Sequence, residues 1–268
     1  PIKILTFHSN LERSKTLERF PFLISLFNKI VEWRIDGLIC VSKHLLKFFE
    51  NYKGPKVVIP NGIDLKKFQI SFQKPKVFSN DKINILFVGR IEERKGLIYL
   101  LKAFAILQKK YKNIRLIIVG DGSEEMKCKE YVKKNQLKEV YFEGKKTEKE
   151  IPIYYLSCDI FVAPSIYGES FGIVLLEAMA AKKPIVAFDI PGFSEVVEDK
   201  KESFLVEAKN VQKLAEKIGI LIENENLRKE MGEMGWKKVQ QYSWDKIGER
   251  ILNFYQEILK LKKPNQKF

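Results

Sequence analysis

The sequence predicts an α/β protein of two doubly wound domains, the first of them incomplete, and three observations predict it. From residue 83 onward, short apolar runs alternate with amphipathic stretches, which is the pattern of a parallel sheet with helices on both faces. The first 64 residues show the same alternation over a span too short for a whole domain of this kind. With 45% of 268 residues apolar, the chain can fill one large or two medium cores.

Taken in order, strands are expected at Ile2 to Phe7, Gly37 to Val41 and Val57 to Pro60. Between the first two, Thr16 to Arg34 reads as a helix with Leu17, Phe20, Ile24, Phe27 and Val31 on one face. Lys15, Arg19, Lys29 and Arg34 surround that face, so it suits either a membrane surface or packing in the first domain. The chain begins on a strand and without Met, and a preceding segment is expected.

The second domain has strand candidates at Ile83 to Val88, Arg115 to Val119, Val140 to Glu143, Ile160 to Ala163 and Pro184 to Phe188. A helix is expected over Gly96 to Lys109, with Leu97, Leu100, Leu101 and Phe104 at helical spacing. Phe87, Phe142, Phe161 and Phe171 are core candidates. Ser243 can cap a last helix carrying Ile247, Ile251, Phe254, Tyr255 and Ile258, and residues 262 to 268 are expected to fray. The expected division is 1–64, 65–241 and a terminal helix over 242–268.

Composition narrows the class. The three cysteines, Cys40, Cys128 and Cys158, are scattered and form no C-x-x-C pair, so a reducing, cytoplasmic setting is expected. No apolar run approaches the roughly 20 residues that span a bilayer. The formal charge of +14 permits nucleic acid, anionic lipid or an anionic substrate. Because the lysines are spread along the chain and no RNA-binding signature or cysteine-histidine finger accompanies them, a nucleic-acid partner is not expected.

The most specific constellation is A-P-S-I-Y-G-E-S-F-G-I-V-L-L-E-A-M-A, Ala163 to Ala180. A strand ends there, and a helix is expected to begin near Phe171, so the amides of Ser170, Phe171, Gly172 and Ile173 form an anion site at a helix N-terminus. Glu169 stands before that helix, placed to meet hydroxyls beside the anion. Glu177 lies further in, among Leu175, Leu176, Ala178 and Met179, where an unpaired charge is costly. A second constellation, F-V-G-R-I-E-E-R-K-G-L at Phe87 to Leu97, brings Arg90 and Lys95 to another strand end. Strand ends of a parallel sheet share one crevice, so two cations and a helix N-terminus there suit a diphosphate. V-G-D-G at Val119 to Gly122 is a further strand-end turn, weak evidence alone, and Asn61-Gly62 reads as a hinge turn.

These motifs resemble the retaining glycosyltransferases of family 4, which have two Rossmann-like domains of the GT-B type. V-I-P-N-G-I-D at Val58 to Asp64, P-I-V-A-F-D-I-P-G-F-S-E at Pro184 to Glu195 and Y-S-W-D at Tyr242 to Asp245 extend the resemblance over essentially the whole chain. It implies transfer of a hexose from a nucleotide diphosphate sugar to an acceptor hydroxyl, with retention. Glu169 would then meet the donor sugar, Glu177 the ribose, and Arg90 and Lys95 the diphosphate. His8 in T-F-H-S-N matches the family's strand-end histidine beside the sugar. The base would lie near Gly144, Lys145 and Lys146.

The resemblance also implies that the terminal helix crosses back to the first domain. Ser203 stands where the family usually has glycine. No metal site is evident, and the nucleotide sugar is a substrate rather than a cofactor. The acceptor is a carbohydrate or a lipid. Phe7 to Ser9 with Lys15 resembles phosphatidylinositol mannosyltransferases, which makes GDP-mannose the first donor to test, with UDP-sugars next. An anionic lipid acceptor would bring the protein to the inner face of a membrane. The competing expectations are a sugar-nucleotide epimerase or phosphorylase of the same fold, and a non-catalytic nucleotide-sugar-binding subunit.

Overall fold

Residues 1–8, 26, 29, 31–78 and 81–262 are described by the computed structural model. The expected basic helix of residues 16–34 lies largely outside them, as do Ser9, Lys15 and the tail from 263 to 268. The chain divides into two compact units, one formed by Pro1–Gly62, Gly168–Phe171 and Gln241–Phe268, the other by Ile63–Tyr167 and Gly172–Gln240.

The first unit holds a three-stranded parallel sheet, β1 (Ile4–Phe7), β2 (Gly37–Cys40) and β3 (Lys56–Val58), in that order. All of β2 is buried, as expected for the middle strand of a parallel sheet. The sheet gains its cover from the far end of the chain, described below.

In the second unit, six parallel strands are ordered β6-β5-β4-β7-β8-β9. The elements run β4 (Ile83–Val88), α1 (Leu97–Lys110), β5 (Ile114–Val119), α2 (Glu125–Lys134), β6 (Val140–Phe142), α3 (Ile151–Ser157) and β7 (Ile160–Ala163), followed by α4 (Ile173–Ala180), β8 (Ile185–Asp189), the single turn α5 (Pro191–Ser194), β9 (Ser203–Glu207), α6 (Val211–Glu223) and α7 (Glu225–Val239). The core joins Ile85, Leu116, Ile118, Val162 and Val186 of the sheet to Leu100, Leu101 and Phe104 of α1 and Leu214 and Ile218 of α6. Phe87, Phe161 and Phe171 are buried, whereas Phe142 is only partly so.

Strand β9 is absent from the expected elements. The run Glu202 to Glu207 is short and carries acids at both ends, and its strand character comes from pairing along β8. At its head Glu202 is buried, accepting from the Glu198 amide at 2.8 Å and from Lys238 at 2.7 Å. Ser203, in the place of the family's glycine, is fully buried and donates its hydroxyl to the Glu198 carbonyl at 3.0 Å. The side chain is therefore satisfied where it sits.

After Gln240 the chain returns to the first unit as α8 (Trp244–Lys262), whose Ile247, Phe254 and Ile258 pack with Ile39 and Ile59, with Ile251 beside them. Tyr255, expected in the same stripe, instead remains 39% exposed, because it lies on the solvent edge of the helix. Among the described residues no helix is long and apolar enough to cross a membrane.

Candidate active site

The strand order of the six-stranded sheet reverses between β4 and β7. In doubly wound sheets a ligand sits beyond the carboxyl ends of the strands at such a reversal, because the two flanking loops turn to opposite faces and leave a crevice. Here the β4 loop carries Arg90 and Lys95, and the β7 loop leads toward α4.

Those two loops are fastened to each other through their backbones. The Ile166 amide donates to the Arg94 carbonyl at 2.8 Å. Gly96 has φ +68°, and a Cβ there would overlap the Pro164 carbonyl oxygen. Glycine is thus required twice, by the left-handed backbone and by the close approach. The loops after β5 and β6 join the same bracket. Gly89 N–H donates to Val119 O at 3.0 Å, Ile91 N–H to Asp121 O at 2.7 Å, and Gly120 N–H to Gly144 O at 2.9 Å. The V-G-D-G turn therefore belongs to the wall of the crevice, through backbone pairing that no local sequence signal distinguishes from an ordinary turn.

On this frame the Lys95 stem lies over Gly89, its Cδ 3.9 Å from where a Cβ of that residue would stand. Arg90 is mostly exposed, and its Nη1 lies 2.8 Å from Glu92, which Arg94 Nε also contacts at 3.1 Å. Glu92 thus orients the exposed cation. Near β6, Gly144 has φ +67° with nothing within 4 Å of its missing side chain, and Lys145 is exposed. Lys146 is engaged instead with Glu143 at 3.3 Å and over the Tyr154 ring, and the Tyr154 hydroxyl and Glu143 raise its pKa.

The helix after the β7 loop begins at Ile173, with Gly172 at its N-cap, rather than near Phe171. Gly172 has φ +86°, and a Cβ there would stand 2.7 Å from the Phe193 ring. The P-G-F-S-E motif thus packs Phe193 under the helix start. Ser170 and Phe171 are left in the preceding loop, while the Gly172 and Ile173 amides open the helix, whose first return bond is Leu175 N–H to Gly172 O at 2.9 Å.

Glu177, the fifth residue of α4, carries a strongly perturbed carboxyl. Its residue surface is only partly covered, yet protein surrounds the carboxyl, and burial pushes its pKa up from 4.5 to about 7. The Tyr155 hydroxyl and the Lys67 ammonium offset part of that cost. Among the described residues the buried Tyr155 hydroxyl has no hydrogen-bond partner of ordinary geometry, so we take its help to Glu177 as electrostatic rather than as a formed bond.

The remaining expected residues, His8, Glu169, Ser170 and Phe171, belong to the first unit. Glu169 is buried, and the next residue accepts a hydrogen bond through its carbonyl from the Ser42 hydroxyl at 2.6 Å. Phe171 packs on Tyr242 at 5.9 Å between ring centroids. His8 is exposed at the end of β1, and its Nδ1 lies 3.1 Å from Asn61 Oδ1. The sequence marks Asn61 only as a turn former and carries no signal for Ser42 or Tyr155. Asn-Gly carries a turn signal strong enough to hide a side-chain role.

The family profile described as glycosyl transferases group 1 matches residues 68–238. The chain is 33% identical over 234 residues to an uncharacterized glycosyltransferase of Methanocaldococcus jannaschii, covering 87% of this chain and 62% of that protein. It is 30% identical over 259 residues to the phosphatidyl-myo-inositol mannosyltransferase of Mycobacterium leprae, covering 95% of this chain and 67% of that protein. The chain thus spans about two thirds of the length of these relatives. The fold is similar to that of Anabaena HepE, crystallised with UDP and glucose, with a TM-score of 0.81, 22% identity and coverage of 94% of this chain and 71% of that one. The two parallel sheets are those of a GT-B fold, and the chain belongs to the glycosyl transferases group 1 family.

Proposed function

We propose that the chain carries the donor site of an enzyme that moves a hexose from a nucleoside diphosphate sugar to an acceptor hydroxyl with retention at the anomeric carbon. The observation that carries this reading is the backbone bracket at the β4/β7 reversal, which presents Arg90 and Lys95 on one loop and hands the other to α4. Charge grows on the diphosphate as the sugar leaves. Two cations and the amides of Gly172 and Ile173, fixed before the reaction, would stabilise it without reorganising. Glu177 suits the ribose hydroxyls. His8 and Glu169 suit the sugar, Glu169 complementing positive charge at the ring as the bond to phosphate breaks. We assign Gly144 and Lys145 to the base side, with Lys146 supporting them through Glu143 and Tyr154. The similarity to the mycobacterial phosphatidyl-myo-inositol mannosyltransferase favours mannose as the transferred sugar and an anionic lipid as acceptor, with GDP-mannose the donor to test first and the excess of positive charge suited to peripheral contact with the membrane that holds the lipid.

Calorimetry with GDP and with UDP tests the site. Lys95→Ala is expected to weaken nucleoside diphosphate binding by about 1.5–3 kcal/mol, the range for a hydrogen bond to a charged group. Unchanged affinity would remove Lys95 from the site. Glu169→Gln is expected to leave GDP affinity within about twofold while lowering turnover of GDP-mannose by 10²-fold or more, as for a group acting mainly in the transition state. Parallel losses in both measurements would place Glu169 on the nucleotide instead.

A further inference from the structure

We propose that Asn61 sets the tautomer of His8, its amide oxygen accepting the Nδ1 proton so that Nε2 is left as a hydrogen-bond acceptor. A neutral imidazole has one donor and one acceptor nitrogen, and the bond made by one nitrogen decides the state of the other. The 3.1 Å contact between His8 Nδ1 and Asn61 Oδ1 is of ordinary hydrogen-bond length. A carbonyl oxygen can only accept, so with the Asn61 amide in this orientation a neutral ring carries its proton on Nδ1.

Both partners stand on anchored backbone. His8 directly follows β1, where Phe7 is buried and its carbonyl accepts from Val41 N–H at 3.3 Å. On the other side, Ile59 is buried and donates its N–H to the Cys40 carbonyl at 3.0 Å, and Arg250 of α8 donates to the Val58 carbonyl at 2.8 Å. The Trp244 indole then closes over the turn itself, 2.6 Å from where a Cβ of Gly62 would stand. The backbone that carries each side chain is therefore fixed, which favours a single hydrogen bond holding a functional group in one state.

This inference rests on the reading of His8 as a contact of the donor sugar, and it makes that contact specific: Nε2 would accept a hydrogen bond from a hexose hydroxyl. Asn61 is thus a positioning residue acting through His8. The opposite amide orientation would donate to Nδ1 and impose the other tautomer.

The chain has only two histidines, His8 and His44, so its imidazole ¹⁵N spectrum is simple and His44 is an internal reference. With the imidazole neutral, His8 is expected to show a protonated, pyrrole-type Nδ1 and a pyridine-type Nε2. Asn61→Ala should lose that pattern with the His44 signals unmoved, and Asn61→Asp, which keeps an acceptor oxygen, should restore it. A wild-type His8 protonated on Nε2, or a pattern unchanged by Asn61→Ala, overturns the proposal, and the first of these needs no variant to fold. A separate titration of GDP-mannose against GDP tests the underlying reading. His8→Ala and Asn61→Ala should each reduce the tighter binding conferred by the sugar by roughly 2- to 10-fold, the scale of one neutral hydrogen bond. If the spectrum behaves as expected but His8→Ala keeps the full increment, the tautomer lock stands and the role of His8 at the sugar falls.

Discussion

Gly96→Ala is expected to destabilise the second unit by about 3 kcal/mol and to abolish nucleoside diphosphate binding together with it. The added Cβ overlaps the Pro164 carbonyl oxygen, and the backbone at φ +68° is one that L side chains rarely adopt. Left-handed backbone alone costs roughly 1–2 kcal/mol, and forcing an atom into packed structure costs another 1–3. The obstacle is backbone, so no rotamer change relieves it. The loop must shift, breaking the bond from Ile166 N–H to Arg94 O and moving Lys95 by the same displacement. Thermal unfolding should show a fall of roughly 6–12 °C, taking 2–4 °C per kcal/mol for a unit of this size. Gly248→Ala is the control. That glycine lies within α8 with nothing within 4 Å of the added carbon, so the same substitution should stabilise its helix by roughly 0.5–1 kcal/mol. A melting temperature for Gly96→Ala within 2 °C of the unaltered chain would show that the bracket is not needed.

Glu177→Gln is expected to stabilise the free protein at pH 8 while weakening its hold on nucleotide. The carboxyl titrates at about 7 when folded, against 4.5 ordinarily. Below pH 4.5 both states are protonated, and the group contributes nothing. As pH rises from 4.5 toward 7, the unfolded chain releases the proton and the folded protein keeps it, so stability falls with pH at up to about 1.4 kcal/mol per pH unit. Above pH 7 the folded form is ionised as well, and a penalty of about 3 kcal/mol stays constant.

Glutamine cannot ionise and escapes that cost. The stability difference between the variant and the unaltered chain should therefore be near zero at pH 4.5, grow through pH 6, and level off above pH 7. Denaturant unfolding at several pH values reads it directly. Parallel curves for the two proteins would show that the carboxyl is not desolvated. In the proposed function the ribose hydroxyls replace the water lost around this carboxylate, so GDP affinity should fall in the variant even as the fold tightens.

The sequence by itself determined most strands of the second unit, because strands buried on both faces of a parallel sheet read as nearly continuous apolar runs. Ile83–Val88 and Ile160–Ala163 were legible to the residue, and Arg90 and Lys95 were expected just beyond the end of the first of them. The stripe of Ile247, Phe254 and Ile258 was legible for the same reason, as a period of burial rather than a contact with a named partner.

What only the tertiary structure decided depends on pairing across long separations. The edge strand Ser203–Glu207 exists because β8 pairs with it. The start of α4 moved to Ile173 because Phe193 requires glycine at position 172, and the loop holding Glu169 joined the first unit, where Ser42 holds the Ser170 carbonyl. Asn61 reaches His8 from 53 residues away, and Tyr155 stands beside Glu177 from another helix. Local periodicity reports which face of an element is buried. It contains no information about which side chain from a distant segment will complete a hydrogen bond or share a desolvated volume, since those choices are made when the elements pack.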